Sequence, residues 1–360
     1  MNRFIQIHLL TSYPPANLNR DDQGRPKTAK MGGADRLRVS SQSLKRHWRT
    51  SELFQQALAG HLGTRTKMLG EGAYNKLLAG GIKEKDALEW AKAIAGVFGK
   101  NKKADKKEPL NELEIEQLVH VSPQEQAQIN QLVQTLIEHQ RAPEEGELNL
   151  LREANTAVDI ALFGRMLASK PAFNVEAACQ VAHALSVHPV VIEDDYFTAV
   201  DDLNDGREDA GSSHIGETGF AAGLFYSYLC INREQLIDNL AGDVALADRA
   251  IAALIEAAVK VPPSGKQNSF AHQGYASYVL AEVGNQQPRS LSVAYLKPIE
   301  VGGKVDTDYL TQAVAAIRHQ YRGFDQAYGQ CAERRYELVV GDEVSGSLPE
   351  LLAFVADTSH

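Results

Sequence analysis

Residues 3–49 read RFIQIHLLTSYPPANLNRDDQGRPKTAKMGGADRLRVSSQSLKRHWR, and three regimes follow one another along them. RFIQIHLL at 3–10 alternates with period two, so Ile5, Ile7 and Leu9 share one face of a strand. Residues 11–35 hold Pro14, Pro15, Gly24, Pro26, Gly32 and Gly33, which predicts a long loop. Loops of that length in a compact domain are usually functional or disordered. Arg36 to Val39 reads as a short extended entry, and Ser40, Ser41 and Ser43 then offer N-cap hydroxyls. A helix is expected to about Leu58, with Leu44, His47, Trp48, Phe54 and Leu58 on its buried side.

Working outward, 66–170 reads as helical, most strongly at 84–98, 110–139 and 147–168, with a lysine-rich break at 100–107. AHALSVHPVVIE at 182–193 is apolar and β-branched, a return to sheet. Residues 194–222 are polar and Gly-rich, and GLFYSYLCI at 223–231 is a strand. An amphipathic helix is expected over 234–259, then a Pro/Gly loop at 261–266. Strands near 275–283 and 290–296, a helix near 306–329, a strand at 335–340 and a short last helix complete the chain. Strand, helix, helical insertion, strand, protrusion, strand, helix and strand make an α+β sheet domain carrying two insertions. A small sheet packed on helices suits an RRM-like (ferredoxin-like) reading, although the aromatic RNP1 signature is absent.

Composition narrows the class. The chain has 360 residues, of which 44% are hydrophobic and 23% charged, ordinary values for a globular protein. No apolar run approaches the ~18 residues of a membrane span, and Met1 to Leu10 alternates instead of forming a signal-peptide block. Cys179, Cys230 and Cys331 are sparse and form no CxxC pair, which points to a reducing compartment, and the cytoplasm is expected. The net charge of −9 seems to exclude nucleic acid, but it is uneven. Residues 1–50 hold ten Lys or Arg against three Asp, a balance of +7; the remainder therefore carries −16. A basic stripe on an acidic body is an electrostatic footprint for nucleic acid.

No catalytic motif is present. SGKQ at 264–267 lacks the upstream glycine of a phosphate loop. There is no HExxH, GxSxG or dinucleotide fingerprint, and the histidines sit at no metal-ligand spacing. No cofactor or metal is therefore expected. The pairs Asp21–Asp22, Asp194–Asp195 and Asp201–Asp202 read as solvated loop ends. Within the basic segment, Gln42, Lys45 and Arg49 are spaced i, i+3 and i+7 on one helix face behind the Ser40 cap. N–H groups at a helix N-terminus favour phosphate, and Arg20 and Lys27 on the preceding loop could close over the same ligand. The ordinary alternative is a solvated basic face. Lys100, Lys102, Lys103, Lys106 and Lys107 form a second run, either a solvated loop or a landing strip for DNA.

LNRDDQGRPKTAKMGG…RLRVSSQSLKRHWR closely resembles the N-terminal region of the CasC-type backbone subunit of the type I-E CRISPR surveillance complex, Cascade. Further blocks resemble that family in order: VDIALFGRM (158–166), DYFTAVDDL (195–203), GSSHIG (211–216) and VPPSGKQNSFA (261–271). The resemblance implies an RRM-like palm (1–59, 182–193 and 223–360), helical fingers (60–181) and a β-hairpin thumb (194–222). It implies a non-catalytic protein whose copies stack head to tail along a guide RNA, beside other Cascade subunits. The thumbs kink the RNA, and the bases between kinks pair with target DNA. Carried over by position, Arg20, Lys27, Ser40, Gln42, Lys45 and Arg49 would contact RNA phosphates, with Lys266 and Gln267 adding backbone contacts. Met166 would press on bases near a kink, where the alternative is a core methionine. Phe197, Thr198 and Val200 would form the thumb wedge. Two other classes stay open: a guide-directed ribonuclease using a metal with Asp35 or Asp21–Asp22, and a generic RRM-like RNA-binding protein.

Overall fold

The computed structural model describes residues 2–105, 107–108, 110–152, 157–199, 214–300, 308–341 and 344–357. The chain divides into two compact units, one made of 1–54, 181–230 and 251–360, the other of 55–180 and 231–250.

The first unit is built on β1 (Phe4–Ala16), β2 (Thr28–Met31), β3 (Ala34–Val39), α1 (Ser41–Thr50), β4 (Ala184–Ser186), β5 (Glu193–Ala199), β6 (His214–Asn232), α2 (Gln267–Phe270), β7 (Ala276–Gly284), α3 (Tyr309–Tyr328), β8 (Arg334–Val339) and α4 (Leu348–Ala356). Its strands run in the order β8-β7-β1-β6-β4-β3-β2, with β5 paired to β6. The pairs β1–β7, β7–β8, β2–β3, β3–β4, β4–β6 and β5–β6 are antiparallel. The fold is thus α+β with a mostly antiparallel sheet. Leu10, Val187, Leu224, Tyr226, Tyr278 and Leu280 bury one sheet face against Ala313, Val314 and Ile317 of α3.

Three sequence expectations change here. The loop expected over 11–35 is largely ordered. Strand β1 continues to Ala16, and because its ladder with β7 ends at Thr11↔Ala276, Pro14 and Pro15 cost that ladder no hydrogen bond. Next, TAKM and ADRLRV form a hairpin, turning at Gly32 (φ 61°) and Gly33 (φ 80°). A two-residue turn with φ positive at both positions is open to glycine at little cost. Gly32 is doubly required, since a Cβ there would lie 1.6 Å from the Leu296 carbonyl oxygen. Finally, residues 290–296 are not a strand but a 3₁₀ turn at Ser292–Tyr295. The Tyr295 carbonyl there accepts from the Arg36 guanidinium at 2.9 Å.

The helix expected from Ser40 to Leu58 is two helices, because Ser51 is extended (ψ 145°) and its hydroxyl donates to the Trp48 carbonyl. Leu44, Trp48 and Phe54 are buried as expected, whereas His47 is half-buried. Beneath the sheet's β1–β7 pair lies a polar centre. Glu282 accepts from Arg289, Arg335 and His8 Nε2, and His8 Nδ1 meets the Tyr226 hydroxyl at 2.9 Å. Burial alone pushes the Glu282 carboxyl up, but the His8 and Arg289 hydrogen bonds more than reverse this and hold it well below the carboxylate range.

In the second unit, Thr64–Thr66 pairs antiparallel with Val119–Val121, and helices span Leu69–Ala79, Glu84–Gly96 and Pro123–His139. Leu113, Ile115, Val119 and Val121 are all buried. Leu113 ends a 3₁₀ turn at Asn111–Leu113, and the spacing of Ile115, Val119 and Val121 is that of extended chain, which is why the stretch before Ser122 is not the helix its apolar content suggested. Ser122 and Glu125 form a capping box that starts the 17-residue helix. Among the described residues of the expected 147–168 helix, Val158–Phe163 is α-helical, closing at Gly164 (φ 82°). Among the described residues, no helix is long and apolar enough to cross a membrane.

Candidate nucleic-acid interface

The first unit carries a groove of about 540 Å³ lined by Arg20, Ser43, Arg46, His47, Ser264 and Lys266, with Asp21 and Asp22 also in its wall. Three segments bring these together. The chain at 17–26 is pinned by Asn17, whose Nδ2 donates to the Gly24 and Gly219 carbonyls at 2.9 Å each. An Arg20↔Pro26 bridge closes the loop, and Asp21 Oδ1 accepts from the Gln23 and Arg25 N–H groups. Asp21 is thereby occupied by its own turn. From the Pro/Gly segment, Gly265 packs so tightly that a Cβ would lie 2.3 Å from the Leu18 carbonyl oxygen. Lys266 is left-handed (φ 51°, ψ 30°), a conformation that costs a non-glycine residue ~1–2 kcal/mol, and its Nζ donates to Thr218 Oγ1 at 3.0 Å. Helix α1 supplies the third wall. Ser43 O accepts from His47 Nδ1 at 2.6 Å, which fixes the proton on Nδ1 and leaves Nε2 to accept from the Ser264 hydroxyl at 2.8 Å. Burial, with Arg46 nearby, lowers the His47 pKa, so the ring is neutral at neutral pH. No ion pair engages Arg20, Arg46 or Lys266 among the described residues.

The structure brings Arg20 and Lys266 into one groove but presents Ser43, Arg46 and His47 from α1. Gln42, Lys45 and Arg49 lie along a separate flank of the helix, on the far side of Arg46. That choice was hidden from spacing: both stripes are polar, and only the burial of Leu44 and Trp48 orients the helix. The Ser40 terminus also differs from a bare anion site. Ser43 N–H donates to Ser40 Oγ, Ser41 N–H donates to His183 Nδ1 at 3.1 Å, and Ser40 N–H donates to Asn19 Oδ1 at 2.9 Å. Lys27 lies on this side of α1, beside Arg38. Gln267 follows Lys266 in α2, and both ends of its amide are buried without a hydrogen-bond partner.

The basic segment is also less uniform than its charge count. Arg36 is fully buried, donating to the Ser186 and Tyr295 carbonyls, and burial lowers its pKa. Arg25 pairs with Asp194 at 3.0 Å, and Lys30 lies 3.6 Å from Asp35. On the hairpin, Phe197 pairs across from Gly216, where a Cβ would lie 2.2 Å from the Phe197 ring. The ring therefore covers a glycine while remaining 43% exposed. Thr198 pairs with Ile215 in the same ladder. Val200, Lys106, Asp201 and Asp202 lie outside the described residues.

In the second unit, Met166 is 82% exposed and follows the short helix, so it is not a core methionine. It lines a slot of about 200 Å³ with Lys100, Leu118 and Leu167. Its neighbour Arg165 is structural: the guanidinium is buried, and its Nη1 donates to both Glu125 carboxylate oxygens, at 2.7 and 2.9 Å. Lys100 pairs with Glu116 at 2.8 Å and Lys102 with Glu114 at 2.6 Å. Lys103 and Lys107 are exposed.

An α+β fold with an exposed hairpin and a basic groove defines a class of candidate nucleic-acid-binding proteins. The chain belongs to the Cas_CT1975 family of CT1975-like proteins, whose model matches residues 5–353. Among solved structures, it is similar to a chain of a "CRISPR RNA-guided surveillance complex, pre-nicking". That chain is 27% identical, with a TM-score of 0.83 over 98% of this chain and 99% of the other. A second, from a "CRISPR RNA-guided surveillance complex", is 25% identical with a TM-score of 0.62, covering 98% of each chain. No curated protein matches.

Proposed function

We propose that this chain is the RNA-binding backbone subunit of a CRISPR RNA-guided surveillance complex of the Cascade type, gripping guide RNA by its phosphates. The observation that carries this reading is the groove itself: Arg20, Arg46 and Lys266 converge from three segments, and among the described residues no carboxylate is paired to any of them. Unpaired cations held in fixed positions suit a ligand that brings the negative charge. Likeness over nearly the whole length to chains of RNA-guided complexes supports the same reading.

In finer detail, the sheet domain is an RRM-like palm and the β5–β6 hairpin a thumb whose exposed Tyr196 and Phe197 meet RNA bases. Copies stack head to tail on one guide RNA, leaving bases free to pair with target DNA, in the manner of the type I-E complex that the sequence motifs resemble. The chain does no chemistry of its own. Expressed with guide RNA and partner subunits, it should purify with RNA of uniform length. A nucleic-acid-free monomer under those conditions would overturn the reading, and regularly spaced Mg²⁺-dependent cuts in complementary RNA would show a ribonuclease instead.

A further inference from the structure

Beside the groove, two cationic side chains and a histidine lie near the start of α1. His183 precedes β4 and is exposed, and its Nδ1 accepts the Ser41 N–H. Arg38 of β3 pairs across from Leu185 of β4 and donates its own N–H to the Lys27 carbonyl at 2.8 Å. Lys27 and Arg38 line one shallow cleft. Both act electrostatically on His183, and together with burial they lower its pKa. Arg38 Nε is buried without a hydrogen-bond partner, and among the described residues no carboxylate pairs with Lys27, Arg38 or His183. Two cations and a titratable ring have been gathered with no carboxylate among the described residues to neutralise them. Mutual repulsion disfavours that arrangement unless an anion completes it.

We propose that Lys27, Arg38 and His183 form a phosphate seat at the N-terminus of α1, in which His183 switches from acceptor to donor when the anion arrives. This rests on the RNA-binding reading and adds two residues, Arg38 and His183, that the sequence motifs did not single out. In the free protein His183 is neutral, and its Nδ1 lone pair holds the Ser41 N–H. Burial, Arg38 and Lys27 all oppose a charge on the ring, and so does the positive end of α1 beside it. A phosphodiester placed among them reverses the sign of the local field. His183 then takes up one proton from solvent, Nδ1–H becomes a donor, and the Ser41 N–H is released toward the same phosphate. Binding therefore consumes a proton over the interval between the free and bound His183 pKa values. Within that interval RNA affinity rises as pH falls, by at most about tenfold per unit for one proton.

The test is RNA binding by the wild-type chain, R38Q and H183N, measured against salt at pH 8 and against pH from 8 to 6. A single-stranded RNA of two unrelated sequences serves as probe. H183N keeps a side-chain oxygen to accept the Ser41 N–H but cannot be protonated. R38Q should lower affinity about tenfold for both sequences and reduce the salt slope by roughly one unit. H183N should bind like wild type at pH 8 and lose the part of the pH dependence that wild type shows below it. Because either variant could perturb folding, the His183 ring resonance of the wild-type protein supplies an independent measurement, and RNA should raise its titration midpoint. An unmoved midpoint, or RNA binding in which R38Q and H183N match wild type throughout, overturns this inference and leaves the RNA-binding reading standing. No RNA binding by wild type at any pH overturns both.

Discussion

Two stretches of this chain carry runs of positive charge, and the fold treats them in opposite ways. Around residues 18–49, Arg20 and Arg46 are placed with Lys266 in a groove where, among the described residues, no carboxylate pairs with them. In the run that begins at Lys100, the first lysines are already matched: Lys100 to Glu116 and Lys102 to Glu114. Positive charge is the denser in the second, where five of the eight residues at 100–107 are lysine. What differs is whether carboxylates of the same unit lie opposite, as Glu114 and Glu116 do for Lys102 and Lys100. Exposed pairs of this kind contribute only ~0–1 kcal/mol each.

Reversing the groove's charge should have the largest effect. Arg20→Glu with Lys266→Glu should abolish RNA retention at 150 mM salt and lower the salt slope of residual binding by about two units, whatever the guide sequence, as read by filter binding against salt. Dependence on guide sequence would mean that the groove reads bases. Next in size is Arg165→Leu, which strands the buried Glu125 carboxylate; the second unit should lose ~3–5 kcal/mol in denaturant unfolding. It separates an arginine used for folding from those used for ligand. Gly265→Ala should cost ~1–3 kcal/mol by forcing the Lys266 segment off Leu18, and it should weaken RNA binding in parallel. Stability lost without affinity would detach Lys266 from the site. Smallest is Lys100→Glu with Lys102→Glu: stability should change by ~1 kcal/mol or less per position and RNA binding little. A large loss of duplex DNA binding would instead make that run a DNA contact.

Acid should act on the first unit away from the groove. Glu282 has a folded pKa below its unfolded value, so its contribution is complete above the ordinary carboxylate range and is lost as pH falls through the folded value. Glu282→Gln should remove stability at pH 7 and flatten the acid limb of unfolding measured by circular dichroism.

Much of the first unit was legible. Alternation at 3–10 and 223–231 marks two strands that become neighbours in the sheet, and Ser40 caps α1. The β2–β3 hairpin is hidden by Gly32-Gly33, which punctuates a loop and a two-residue turn alike, although TAKM and ADRL flank it as strands. The stretch 110–121 has the apolar content of a helix but not its period. At the site, Arg20 was found from the charge of the N-terminal segment, and Lys266 only from the resemblance of its Gly/Pro loop to the family's. Arg46, His47 and Ser264 were not, since their meeting depends on contacts more than two hundred residues apart, such as His47 with Ser264.

By itself, then, the sequence determined the local alphabet: where strands alternate, where a serine can start a helix, and that positive charge concentrates in the first fifty residues. Those properties depend on neighbours within one or two turns of chain. Tertiary structure alone decided what the charges are for. It buried Arg36 on backbone carbonyls, tied Arg25 to Asp194 and Lys100 to Glu116, and left Arg20, Arg46 and Lys266 facing one another across a groove. The physical reason is that a cation's role depends on whether a carboxylate or carbonyl lies within about 4 Å of it, and that distance exists only once the chain has folded.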